Sequence, residues 1–348
     1  MTGTFAGLRA ALDETVDAHF AATRTDRRGS RAAIIKAWLV LGLFASAYLA
    51  LVFWASSPAQ VILLIVALSA SMAGIGFVVV HDANHGVLGR SRATNRAWSA
   101  LFDAMGISSY VWRHSHNVEH HGHPNVDGRD PDIDLGLLAR LSPDQPWRPW
   151  HRFQHLYLFA LYGFAYPRWV LIEDARRVIS GRIAGRAFRR PRGKDALIFA
   201  GGKLLFVGWA IVLPALHHSL GTVLVVALAS SYLVGLALAI VVLLGHSVQG
   251  TSFATSAPKD ADEWCAHQIA GSADFGLDNR LLTSLTGALN HQVAHHLFPS
   301  ISHVHYPALA PRLEAVFARY GVSRTVHPTL GAALKAHRAL LARLGAHA

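Results

Sequence analysis

The chain has 348 residues, of which 52% are hydrophobic and only 15% charged, against about 25% charged in ordinary soluble domains. Its single cysteine, Cys265, excludes an intrachain disulfide. The formal charge of +11 requires either a nucleic-acid partner or sidedness at a membrane.

Residues 1–33 are polar and mixed in charge, without the apolar core of a secretory signal, and predict a cytosolic helical lead-in. Two apolar runs follow, 34–55 and 59–80, separated by Ser56-Ser57-Pro58. At 1.5 Å per residue each reaches roughly 33 Å, enough for a hydrocarbon core of about 30 Å. Residues 81–194 are polar and rich in arginine, with shorter apolar patches at 97–111 and 155–171 suited to the membrane interface. Runs 196–216 and 222–245 complete four predicted spans, and Lys203 is expected to snorkel to the near surface. Residues 246–348 are polar again, with amphipathic helices expected around 308–320 and 329–344.

Lysine and arginine settle the charge question. Seventeen lie in 81–194, eight in 246–348, five in 1–33, and none in the links 56–58 and 217–221. Such an excess marks the cytoplasmic side, so both termini and both large polar segments are expected in the cytosol, and no nucleic acid is needed. The predicted fold class is an all-α integral membrane protein: four transmembrane helices with a cytosolic helical cap, 81–194 and 246–348, in one domain over 1–348.

Histidine is the compositional outlier, with 22 residues, eleven of them in four short clusters. His81 and His85 follow the second span. His114, His116, His120, His121 and His123 crowd one stretch, His246 follows the fourth span, and His291, His295 and His296 form the last group. The second and fourth spans run in the same direction, so all four clusters emerge on one face. On a helix, residues four apart share a side, which pairs His81 with His85, His116 with His120, and His291 with His295. Neighbours diverge by about 100°, so His121 and His296 are expected to point toward a second metal or the other side of a shared one. Two repeats of His-x-x-x-His-His suit a pair of metals, although imidazole accepts Fe, Zn, Cu and Ni alike. A closed zinc site would take four ligands, often thiolate. The solitary His19, His151, His155, His267, His327 and His347 read as ordinary hydrogen-bonded histidines, and His217-His218 falls on the opposite side of the membrane. A membrane metal transporter is a distant alternative, because the spans carry almost no ionisable groups away from their ends.

The boxes resemble the membrane fatty-acid desaturase family, and within it the cyanobacterial and front-end acyl-lipid branch of Δ6 type. The likeness is carried by His81-Asp82-Ala83-Asn84-His85-Gly86, by Trp112 with His116-Asn117-Val118-Glu119-His120-His121, and by Asn290-His291-Gln292-Val293-Ala294-His295-His296-Leu297-Phe298-Pro299. It implies a metal site of two irons on His81, His85, His116, His120, His121, His246, His295 and His296, with O2 as co-substrate and no separate protein acid or base. His291 or Gln292 is a further candidate, since this branch places Gln at the first position of the last box. Asp82, Asn117, Asn125 and Asp130 are candidates to hold imidazole tautomers from behind. The implied reaction puts a cis double bond into a fatty acyl chain carried on lipid, coenzyme A or a carrier protein. An acyl hydroxylase or acetylenase of the same superfamily would share these ligands. The His-Pro-Gly-Gly motif of a fused haem domain does not occur, which implies ferredoxin or a similar carrier, with its reductase, as electron donor.

Overall fold

Ser57 shows how the first two apolar runs become helices. Its hydroxyl accepts from the Gln60 N–H, the Gln60 side chain accepts from the Ser57 N–H, and Pro58 occupies the first helical turn. This capping box reverses the chain where the sequence places a link. In the computed structural model, which describes residues 5–256 and 258–346, His347 lies outside the described residues. Among the described residues, four helices are long and apolar enough to cross a membrane: Arg31–Phe53, Pro58–Asn84, Lys194–Ala215 and Leu220–His246. Each begins one to three residues ahead of its apolar run, and Pro58–Asn84 also continues four residues past 80, because polar side chains at a span's end still continue the backbone ladder.

The described chain divides into two compact units. The apolar unit comprises Arg31–Ser115 and Phe159–Ile240. Its helices present apolar side chains outward, Leu39 at 68%, Leu63 at 68% and Leu204 at 73% exposure, a surface suited to hydrocarbon. Gly235 is required where backbones meet, since a Cβ there would sit 2.3 Å from the Gly163 carbonyl oxygen. Lys203 departs from expectation. Its ammonium donates to Asp174 Oδ2 at 3.0 Å and to the Val170 carbonyl at 2.8 Å, and it also reaches the Gly106 carbonyl. A buried carboxylate claims it more strongly than water at the surface. A cavity of about 470 Å³ also lies within this unit, with Tyr48, Leu68, Met72, Tyr166, Phe206 and Trp209 in its wall. The Tyr48 hydroxyl donates to the Trp209 carbonyl, so this polar group is satisfied within the wall.

The other unit holds the remaining described residues. The helix Leu8–Thr23 buries Leu8, Leu12, Val16 and Phe20, four apart, against Leu309, Leu313 and Phe317 of the helix Tyr306–Arg319 and against Cys265. Burial pushes the Cys265 thiol up to about 11, so it packs as an apolar group. The only regular sheets among the described residues are two-stranded. One pairs Ala273–Phe275 in parallel with Thr325–His327. In the helix Leu330–Gly345, His337 is buried and bonded to the Ser247 carbonyl.

His337 sets one pH dependence. Burial pushes its pKa down to about 4 from an ordinary 6.5, even though the Ser247 carbonyl pulls upward. The unfolded chain therefore takes up a proton that the folded chain refuses, and stability falls as pH drops from about 6.5 toward 4. The loss from this one residue is about 3 kcal/mol at most. The unfolding temperature in detergent is expected to decline across that window, and His337→Leu to flatten the decline. An equally steep acid slope in the variant would assign the effect elsewhere.

Candidate metal centre

The first box closes the helix Pro58–Asn84. A π-helical turn at Ile75–Val80 precedes it, and the His85 N–H donates to the His81 carbonyl. The two rings lie 4.6 Å apart between centroids, each edge-on to Trp112. They share one face, as their spacing predicts. Asn84 is fixed beside them, donating to the Val80 carbonyl and accepting from Arg113. Asp82 is buried here. These residues belong to the apolar unit.

The second box is wound differently from expectation. Arg113–His120 is π-helical, and a π turn brings residues five apart into register. His121 still diverges from its neighbour His120, the rings meeting at 77°, and the π winding also sets it against His116. Their Nε2 atoms lie 3.2 Å apart, while His116 also stacks on His120 at 5.1 Å between centroids. The last box differs too. Its helix is Gln292–Leu297, and His291 stands before it with φ −98° and ψ 55°, so His291 and His295 do not share a helical face.

Six of the expected ligands come together in the polar unit. Nitrogens of His120, His246 and His296 lie within 4.8 Å of one another, and so do those of His121, His295 and His296. His296 belongs to both groups. His116 and His120 form a third with Asp132. His291 joins none of these groups. Burial, with some help from the Arg324 charge, pushes its pKa down to about 4.

Behind the rings stand hydrogen-bond acceptors. His120 Nδ1 donates to Asp130 Oδ1 at 2.9 Å, and His246 Nδ1 donates to the Gly271 carbonyl at 3.0 Å. The Tyr306 hydroxyl gives its hydrogen to the carbonyls of Ile301 and Phe298, leaving its oxygen to accept from His295 Nδ1 at 3.2 Å. Gln268 Oε1 lies 2.8 Å from His296 Nδ1. Rings held this way present Nε2 as a lone pair. The Nε2 atoms of His120 and His296 are buried and meet no hydrogen-bond partner, an arrangement that a metal ion satisfies. The donor set is all imidazole and carboxylate, which suits first-row transition metals such as Fe, Zn, Cu and Ni.

Asn125 braces the arrangement. It adopts φ 57°, which Asn tolerates better than most residues, and its amide lies within reach of the carbonyls of His246, Ser252 and Gly271. Its N–H donates to Asp130 Oδ2. Asn117 is half-buried in the second box. Gln292 Nε2 is 2.8 Å from His246 Nε2, and its buried oxygen has no partner. Burial lowers the pKa of His120, but Asp130 and Asp132 outweigh it and lift the ring to about 9. Metal binding would displace that proton. Burial, and then the neighbouring imidazoles, hold His296 well below the ordinary range.

Sequence reading passed over Gln268, Tyr306 and Asp132 as partners of the rings. Only Asp132, two residues from Asp130, offered a local signal. The solitary histidines behave as ordinary ones where their contacts are defined: His151 accepts from the Arg148 N–H and reaches the Leu137 carbonyl. In the apolar unit, His218 donates to the Val52 carbonyl.

Comparison with known proteins agrees with this geometry. The sequence profile described as Fatty acid desaturase matches residues 55–328. An acyl-lipid (8-3)-desaturase of Physcomitrium patens is 33% identical over 96% of this chain and 71% of its own length. The sn-1 linoleoyl-lipid 6-desaturase of Synechocystis is 32% identical over 97% of this chain and 96% of its own. That of Arthrospira platensis is 29% identical over 98% and 94%. With this match over most of its length and its histidine boxes gathered as described, the chain belongs to the fatty acid desaturase family.

Proposed function

We propose that the whole chain forms one desaturase domain that puts a cis double bond into an acyl chain carried on a membrane lipid. The convergent imidazoles, four of which (His120, His246, His295 and His296) are held from behind through Nδ1, carry this reading. His81, His85, His116, His120, His121, His246, His295 and His296 are assigned as ligands of two irons, the first pair from sequence resemblance. Bound iron supplies the O2 reduction and hydrogen abstraction that no side chain can perform. Two hydrogens leave adjacent methylenes with their electrons, two further electrons and two protons arrive from outside, and O2 leaves as two waters.

The chain's own residues do the rest. Asp130, the Gly271 carbonyl, Tyr306 and Gln268 keep the imidazole rings in one tautomer and orientation. The cavity in the apolar unit suits hydrocarbon, because an apolar void of this size attracts neither water nor charge. Four spans, with Lys and Arg concentrated in the polar segments, favour a multi-pass protein with both termini and the site on the cytosolic side. Those basic segments also suit an acidic electron carrier of the ferredoxin type.

Expression in a host with simple lipids, with a ferredoxin system supplied, tests the proposal. A new double bond located by mass spectrometry and two irons per purified chain are expected. A hydroxyl product carrying label from 18O2 would transfer the reading to an acyl hydroxylase, and active protein without iron would end the metal assignment.

A further inference from the structure

The acceptors behind His120, His246 and His296 differ in one respect. The Asp130 carboxylate and the Gly271 carbonyl only accept, so the Nδ1 facing each must carry the hydrogen. Behind His296 stands the Gln268 amide, which can offer either an oxygen or an NH2 group. Its other neighbour decides between them. Gln268 is fully buried on the helix Ala261–Ala270, with one end of its amide 2.9 Å from the His121 carbonyl oxygen and the other 2.8 Å from His296 Nδ1. A carbonyl oxygen cannot donate, so the amide nitrogen must face His121 and the amide oxygen must face His296.

We propose that Gln268, backed by the His121 carbonyl, is a positioning residue that locks His296 in the Nδ1–H tautomer and so reserves the Nε2 lone pair for metal. This rests on the metal reading above. A reversed amide would offer N–H to Nδ1, drive the imidazole hydrogen onto Nε2 and close the ligand position. It would also leave the amide oxygen against the His121 carbonyl oxygen, two acceptors with no hydrogen between them. One side chain thus ties the main chain of the second box to a ring of the last. Because His296 lies in both three-histidine groups, the lock bears on both.

Two variants of similar size separate this role from simple packing. Gln268→Glu keeps an oxygen for His296 and, when protonated, an O–H for His121. Gln268→Met keeps the volume and loses both polar contacts. The probe is Co2+ titrated into the purified full chain in detergent. Gln268→Glu is expected to bind close to wild type and Gln268→Met 10- to 100-fold more weakly, the usual range for losing a ligand's partner. A tight Met variant beside a weak Glu variant would overturn the proposal in favour of packing. If the wild-type chain binds no Co2+, the metal reading fails. Nitrogen-15 shifts of the His296 ring then decide the tautomer alone, with hydrogen on Nδ1 in wild type supporting the lock and hydrogen on Nε2 overturning it.

Discussion

Replacing His296 with alanine is expected to abolish desaturation, a loss well beyond the roughly hundred-fold that removing a ligand's partner costs. The reason is its position. Its nitrogens are grouped both with those of His120 and His246 and with those of His121 and His295, so one substitution removes an imidazole from both groups. His296 is fully buried, and the alanine variant has no nitrogen to offer in its place. Iron per chain, measured on the purified variant, is expected to fall together with activity. His291→Ala provides the contrast. It also deletes a buried imidazole, but one that stands outside those groups and ahead of the helix Gln292–Leu297, so the variant is expected to retain iron. Loss of iron in His291→Ala with retention in His296→Ala would reverse the assignment of the last box.

The largest effect on stability is expected at Lys203. Asp174 is completely buried and accepts from Lys203, from the Ser108 N–H at 2.7 Å and from Trp169 Nε1 at 3.1 Å. Burial raises the Asp174 pKa, and Lys203 is the chief opposing influence. Lys203→Met leaves that carboxylate without its cation, a change that costs about 3–5 kcal/mol for a buried pair. Replacing both residues, Lys203→Met with Asp174→Leu, is expected to recover much of the loss, since well-packed apolar groups can replace a buried ion pair. Unfolding in mixed micelles measures the single variants and the double-mutant cycle. A loss below about 1 kcal/mol in Lys203→Met, the range of an exposed pair, would show that the lysine reaches the surface after all.

Several features were legible from the chain alone. Runs of about twenty apolar residues marked the four long helices, because hydrogen-bonded backbone and apolar side chains satisfy a span without reference to any distant residue. The spacing of His81 and His85 announced a shared face for the same local reason. The predicted helices at 308–320 and 329–344 appear as Tyr306–Arg319 and Leu330–Gly345. The boxes carry the family's mark in their residues alone, and the chemistry of imidazole limits what they can hold.

Other features required the folded chain. Sequence spacing paired His116 with His120 as on an α-helix, but the local winding is π-helical and brings His121 against His116 as well. Periodicity assumes one kind of helix, and the choice between kinds depends on surrounding packing. The same spacing placed His291 on a helix that begins one residue later. The acceptors that orient the rings come from far along the chain: Gln268 lies 28 residues from His296, and the Gly271 carbonyl 25 from His246. A hydrogen bond across such a separation follows from how helices and turns close on one another, which no local pattern encodes. The amino-acid sequence by itself determined which side chains are available and which of them share a turn. Only tertiary structure decided which atom of each ring is held from behind and which is left facing inward, because that depends on the partner brought against it.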